Sequence, residues 1–204
     1  MLSRRLTICW LVGASKCKGE GYEAAPNCAR NECPAYTVLH SHKEFEIRSY
    51  KDAKWVHSPT ISSNSYKPAA SKAFRQLFAY YKGKNRENMI INMTSPVLVG
   101  VDNSAYTVYF YLPQMYQKSA PQPVRGEIKT VSLPLPGHKY AAVKRFDGMI
   151  TDESIATNLE SLKKSLEASP DYRRAAQEGL SMLAAYNSPR QLTNRVNEVF
   201  IWFN

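Results

Sequence analysis

Hydrophobic and polar positions alternate with two different periods along this chain, and the changes of period mark its elements. Phe45–Tyr50 alternates and Lys54–Ile61 is rich in Trp, Val and Thr, so both read as strands, with Lys51 and Asp52 as a turn between them. Ala70, Ala73, Phe74, Leu77, Phe78 and Tyr81 then recur at the spacing of one helix face. Pro68 is acceptable in the first turn of that helix, and Gly83 stands where it should stop. Met89–Met93, Val97–Val101 and Tyr106–Leu112 are strand-like, and a Pro- and Gln-rich loop from Pro113 to Pro123 divides the chain.

The second half repeats this order. Ile128–Leu133 and Tyr140–Phe146 read as strands, with Gly148 in the turn that follows. Ile155, Leu159, Leu162 and Leu166 form a helical stripe, opened by Thr151 and Asp152 as caps and closed near Ser169-Pro170. Tyr172–Ala185 begins with helical composition and then alternates, which predicts a strand over its second part; Glu198–Phe203 is a strongly strand-forming end. The repeated order predicts an internal duplication of about 75–80 residues per half. The expected class is α+β, an antiparallel sheet or open barrel with a helix packed on each half.

Composition adds little to that picture, and charge a little more. The 204 residues are 44% hydrophobic and 22% charged, as in an ordinary globular protein. The net charge of +10 favours anionic partners, but the basic residues are dispersed and no nucleic-acid-binding motif is present. Nucleic acid is therefore not an expected partner.

The N-terminus reads as an address. Arg4 and Arg5 precede the apolar run Leu6–Ala14, which ends in small residues at a Val12-x-Ala14 site, as in a secretory signal; a presequence of another kind or an unstructured tail are the alternatives. The run is too short to span a bilayer, so no membrane insertion is expected. Residues 15–34 form a polar lead-in. All four cysteines (Cys9, Cys17, Cys28, Cys33) fall in the first 33 residues. Cys28 and Cys33 would close a local disulfide in a secreted chain and would be free thiols in the cytosol. Cys33-Pro34 is also the dipeptide found where a thiolate binds haem. A zinc site is not expected, because only one close pair is available.

No nucleophile elbow, P-loop, zinc-protease or dinucleotide motif occurs. His40, His42, His57 and His138 are scattered. Asp152-Glu153 at a helix start suits the helix dipole better than acid–base chemistry. Glu198, inside an apolar strand, needs a partner, for which Arg195 or Arg190 are the nearby candidates. These features point to a binding module, not an enzyme.

Several separated motifs resemble one family. Phe45-Glu46-Ile47-Arg48-Ser49-Tyr50 with Ala53-Lys54-Trp55-Val56, then Asn92-Met93-Thr94-Ser95-Pro96-Val97, Arg145-Phe146-Asp147-Gly148, and Tyr186-Asn187-Ser188-Pro189 with Asn194-Arg195-Val196-Asn197-Glu198-Val199 resemble the SOUL, or haem-binding, proteins over about residues 35–203. The resemblance implies duplicated β-α-β units (about 35–113 and 126–204) forming a distorted antiparallel β-barrel flanked by two helices. It also implies non-catalytic binding of haem, protoporphyrin or a related tetrapyrrole, as a monomeric carrier or buffer; the alternative is a protein-interaction or signalling module on the same scaffold. The spacing Cys28-x4-Cys33-Pro34-x-Tyr36 resembles the lead-in of secreted members, which adds to the secretory reading and to the Cys28–Cys33 pairing.

The ligand groove implied by the resemblance lies beside the first helix and the loop before the last strand. Phe74, Leu77, Phe78, Tyr81 and Met93 would supply walls, with Tyr186 in the loop. Arg75, Lys82, Arg190 or Arg195 would pair with propionates. Taken singly, Phe74, Leu77 and Phe78 fit core packing of a helix better than a pocket. Some members carry a His after the Arg of the opening motif as a proposed iron ligand. Ser49 stands there, which leaves His57 as the nearest strand imidazole, or contact-held binding that tolerates metal-free porphyrin. Asn92-Met93-Thr94 is an N-glycosylation sequon.

Overall fold

The computed structural model describes residues 22–204 apart from Arg125. The predicted signal segment, Cys9 and Cys17 lie outside the described residues. The strands are β1 (Tyr36–Ser41), β2 (Glu46–Tyr50), β3 (Ala53–His57), β4 (Ile61–Ser62), β5 (Val97–Asp102), β6 (Ala105–Tyr111), β7 (Lys129–Leu133), β8 (Tyr140–Phe146), β9 (Leu180–Ala185) and β10 (Asn197–Phe203). The helices are α1 (Tyr66–Tyr81), α2 (Asp152–Glu167) and α3 (Arg173–Glu178), with short 3-10 turns at Pro26–Ala29 and Gln114–Tyr116.

All strands join one antiparallel sheet in the order β1-β2-β8-β10-β9-β5-β6-β3-β7, with β4 added to β6. Only Lys51 and Asp52 separate β2 from β3, yet six strand spacings lie between them in that order. A flat sheet would set them about 29 Å apart at about 4.8 Å per spacing, whereas the connection reaches about 11 Å. The sheet must therefore curl almost into a barrel. From β2 to β7 the order is symmetric about the β9–β5 pair. Each half is a β-β-α-β-β unit whose first strand is exchanged: β2 pairs with β8, and β7 pairs with β3. The unit is thus one strand longer on each side of its helix than the β-α-β pattern expected from the resemblance, within the same α+β distorted-barrel class.

Both long helices pack on one face. Leu77, Tyr80 and Tyr81 of α1 and Ile155, Leu162 and Leu166 of α2 form one core with Ile47, Val56, Val108, Phe110, Val199 and Ile201 of the strands. The alternate strand residues (Trp55, Leu98, Tyr111, Ala141, Val143, Met182, Phe200, Trp202) form a second core on the opposite face, capped by Ala25, Cys28 and Cys33 of the N-terminal segment. Thr151 and Ser154 complete a capping box on α2. Ser65 makes no such bond at the start of α1; Asp152 accepts from Tyr66 N at 2.6 Å and from Ser65 Oγ at 2.7 Å instead. One carboxylate thereby serves the N-termini of both helices and sits below the usual carboxylate range, held there first by the Tyr66 amide.

Three sequence expectations change. Lys54–Ile61 is not continuous, because Pro59 breaks it into β3 and β4; Ser58 still bonds Val108 from the gap, through backbone and hydroxyl. Met89–Met93 is not a strand. The Asn85 side chain folds the preceding turn back onto Met89, and only Ile90 bridges to Lys82. Tyr36–Ser41, unread in the sequence, is the edge strand β1.

Gly179 separates α3 from β9 and has ordinary dihedrals, but its Cα lies against β10. A Cβ there would fall inside contact distance of the Ile201 side chain and the Ala175 carbonyl. Gly179→Ala should lower the stability to urea by about 1–3 kcal/mol, as overpacking does; an unchanged midpoint would show that α3 moves freely.

Candidate functional site

On the face away from the helices, residues 24–35 cross the sheet as a strap and enclose a cleft of about 680 Å³. Its floor and walls are aromatic: Tyr36, Tyr50, Trp55, Tyr186, Phe200 and Trp202 line it, with Leu98 and Leu133. Strand alternation explains the convergence, since Tyr50, Trp55, Phe200 and Trp202 all point to this face. Tyr50 lies 5.2 Å from Trp202 and 6.0 Å from Phe200 between ring centroids, so the rings form one continuous surface. The strap supplies Ala24, Pro26, Cys28, Ala29, Cys33 and Pro34 as the facing wall, and Arg30 and Lys51 add two cations. Cys28 and Cys33 are joined as a disulfide.

Hydrogen bonds to the scaffold hold the strap. The Asn27 amide donates to the Tyr186 carbonyl (2.8 Å), Asn31 donates to Ser95 Oγ (2.9 Å), and Gln114 N donates to the Glu32 carboxylate (2.7 Å).

An ion network lies at the end of the cleft, on the same sheet face. Arg48 makes two parallel 3.0 Å bonds to Glu198 and a 2.7 Å bond to Glu46, and all three side chains are sealed from solvent. Arg145 donates to Glu198 at 2.7 and 3.1 Å, and the Tyr186 hydroxyl donates to it at 2.8 Å. Tyr36 covers Arg48 with its ring at 4.2 Å. The partners of Glu198 are therefore Arg48 and Arg145, not the expected Arg190 or Arg195. Strand pairing brings residue 48 beside residue 198, which proximity in sequence could not show. Burial opposes the charge on Glu198, but the two guanidiniums outweigh it and hold the carboxyl below its ordinary range. Burial likewise opposes the charge on Arg48, and Glu198 more than offsets it. Two carboxylates face two guanidiniums, so the network is neutral and does not itself select an anion or a cation.

The structure separates the sequence-derived site residues onto two faces. Leu77 and Tyr81 are fully buried in the helix-side core, and Tyr81 donates to the Tyr111 carbonyl at 2.7 Å. Phe74 and Phe78 stack at 5.6 Å and are half-buried; Met93 packs beside the same core, and Arg75 is exposed. Lys82 Nζ stands 5.3 Å from the Phe78 ring centroid. Arg195 is largely buried and bonds the Ser188 and Gln191 carbonyls, while Arg190 is exposed. Tyr186 alone of these residues lines the cleft. His57 is half-buried with Nδ1 2.9 Å from the Ser58 carbonyl, outside the cleft lining. Asn92 is exposed, and the Thr94 hydroxyl of its sequon donates to the Tyr111 carbonyl. Trp55, Phe200 and Trp202 were visible in the sequence only as strand residues; their shared parity was the available signal.

Glu198→Gln should destabilise the fold by about 3 kcal/mol, because it leaves buried guanidiniums short of a counter-charge. A group whose folded pKa is lowered contributes fully above its unfolded pKa and loses that contribution as pH falls through the folded value. Wild-type stability should thus decline on the acid side of the carboxylate range, and the variant's acid limb should be shallower in urea titrations at stepped pH. Parallel acid limbs would show that Glu198 is not the group responsible.

The chain is 32% identical to Heme-binding protein 2 of Homo sapiens and 30% identical to Heme-binding protein 2 of Mus musculus, over 164 residues in each case, covering 77% of this chain and 77% of each relative. A solved structure described as a hydrolase from Listeria innocua has a TM-score of 0.49 at 12% identity, over 79% of this chain and 92% of its own. The family model described as SOUL heme-binding protein matches residues 31–202. The chain belongs to the SOUL heme-binding protein family.

Proposed function

We propose that this protein binds haem-class tetrapyrroles without catalysis and holds them in the strap-covered cleft chiefly by contact. The aromatic surface of that cleft carries the reading. A porphyrin is a flat apolar plate bearing carboxylates, and a volume of about 680 Å³ with ring-lined walls and two cations matches its shape and chemistry. The family membership supports haem as the ligand.

Iron coordination is not needed for this mode. The cleft lining contains no His or Met. The Tyr186 hydroxyl donates to Glu198 and the Tyr50 hydroxyl accepts from Arg48, so both are engaged within the protein. Arg30 and Lys51 are the cations placed to meet propionates.

The helix surface of Phe74 and Phe78, with Lys82 beside it, is the second candidate surface. It rests on the half-buried stack of the two rings. Ala53→Trp fills the cleft, whereas Phe78→Ala thins the helix surface. Haemin and metal-free protoporphyrin should bind the oxidised protein with affinities within about threefold of each other, and Ala53→Trp should weaken both by about tenfold or more. Phe78→Ala should leave both unchanged. Intrinsic Trp quenching and visible absorption read these outcomes; the opposite ranking of the two variants would place the ligand on α1.

The chain is also proposed to travel the secretory route, as a carrier or buffer. The Cys28–Cys33 disulfide and the exposed Asn92 support this reading. Protein recovered from the medium of secreting cells should shift in mass on glycan removal, and Asn92→Gln should abolish the shift. Retention of the full chain in the cytosol would overturn the secretory reading.

A further inference from the structure

The contact reading leaves two sulfur atoms of the cleft wall without a role. Haem iron is bound in proteins by imidazole, thioether, thiolate or phenolate groups. The cleft lining offers no imidazole or thioether, and its Tyr50 and Tyr186 hydroxyls are engaged with Arg48 and Glu198. Cys28 and Cys33 both line it, and while bonded to each other neither can supply a thiolate. Breaking that one bond would give the cleft iron ligands that its oxidised form lacks.

We propose that the Cys28–Cys33 disulfide is a redox switch on iron coordination, a reading that rests on the cleft being the tetrapyrrole site. In the oxidised protein the cleft holds the plate whatever its metal. Along an oxidising secretory route the bond stays closed; where the chain meets a reducing pool, a small thiol of the glutathione class attacks one sulfur and forms a mixed disulfide, and a second such thiol resolves it. The protein disulfide gains two electrons and two protons, and the two small thiols become their own disulfide. One cysteine thiol then loses its proton to solvent as its sulfur binds ferric iron. Both cysteines are half-buried, not sealed, so a small thiol can reach them.

The strap does not depend on the disulfide for its position. Asn27, Asn31 and Glu32 tie it to Tyr186, Ser95 and Gln114, and the Ser95 amide donates to the Glu32 carbonyl at 3.0 Å. Reduction therefore leaves the wall standing and changes what it offers. The cleft passes from a site indifferent to the metal to one that prefers iron, and the preference follows the redox state of the surroundings.

The test uses the full chain, oxidised or reduced, with the reductant removed anaerobically before titration. Reduction should tighten haemin binding by about tenfold or more while metal-free protoporphyrin stays within about threefold. The reduced haemin complex should show the electron-paramagnetic signal of thiolate-bound ferric haem and the red-shifted Soret band of its ferrous carbonyl form. The double variant C28S/C33S, with Cys9 and Cys17 intact, should show neither change. C28S and C33S singly each leave one thiol without reductant, so the one that supplies the ligand should show the thiolate signature at once. Haemin binding that is unchanged on reduction overturns the switch, and so does a thiolate signature that persists in the double variant. Failure of the oxidised protein to take up protoporphyrin would instead defeat the contact-held reading, which separates the two failures.

Discussion

The guanidinium of Arg48 fixes how the two halves of this protein meet. It sits on β2, the strand that the first half lends to the second, and reaches across β8 to Glu198 on β10. A buried arginine is costly unless its donors are satisfied, and here two carboxylates and the Tyr50 hydroxyl accept from it. A slip of β2 by one residue would turn Arg48 toward the helices, into a core of Leu77, Leu162 and Val199. The ion pair thereby selects one register for the exchanged strand. That register in turn lets two residues carry the chain from β2 to β3 around the curled sheet.

The same register separates the two faces chemically. The helices close one face with aliphatic and aromatic side chains, where Leu77 and Tyr81 are sealed against the sheet. On the other face the strands present rings, and among the described residues no α-helix covers them. Large apolar surface of this kind needs a cover, and the N-terminal strap meets that need only in part. A cleft remains between a ring-lined sheet and a strap of small residues with a disulfide. Neutrality of the ion network matters here, because a net charge at that place would set the ligand's charge. On the proposed reading the choice passes instead to Arg30, Lys51 and Glu32, the charged residues of the cleft lining.

Much of the scaffold was legible where period and boundary signals agreed. Tyr140–Phe146 is strand-like between a Gly-containing loop and a Gly turn, and it is β8 without adjustment. The stripe from Ile155 to Leu166, opened by Thr151, is α2. Met89–Met93 misled because composition was strand-like while the neighbouring turn left it almost no partner. β1 escaped notice because an edge strand needs only one neighbour: none of its residues is fully buried, and Val38 and Leu39 are adjacent instead of alternating. The cleft was the least legible part. Its walls come from β2, β3, β5, β7, β10 and the strap, so no local window contains it, and only Tyr186 among the sequence-derived ligand residues reached it.

The symmetry of the fold shows why the strap carries so much of the site. Between β2 and β7 the two halves are interchangeable in topology, and a purely symmetric molecule would offer two equivalent ends. The N-terminal segment breaks that equivalence. It adds β1 to the β2 edge, whereas no described strand extends the sheet beyond β7, and it lays its disulfide loop over one face. The duplicated scaffold supplies a rigid floor that any flat apolar ligand would recognise; the segment outside the duplication supplies the wall, a cation and the two sulfurs. On the proposed reading, selectivity resides in the segment outside the duplication, which can change without disturbing the register that Arg48 holds.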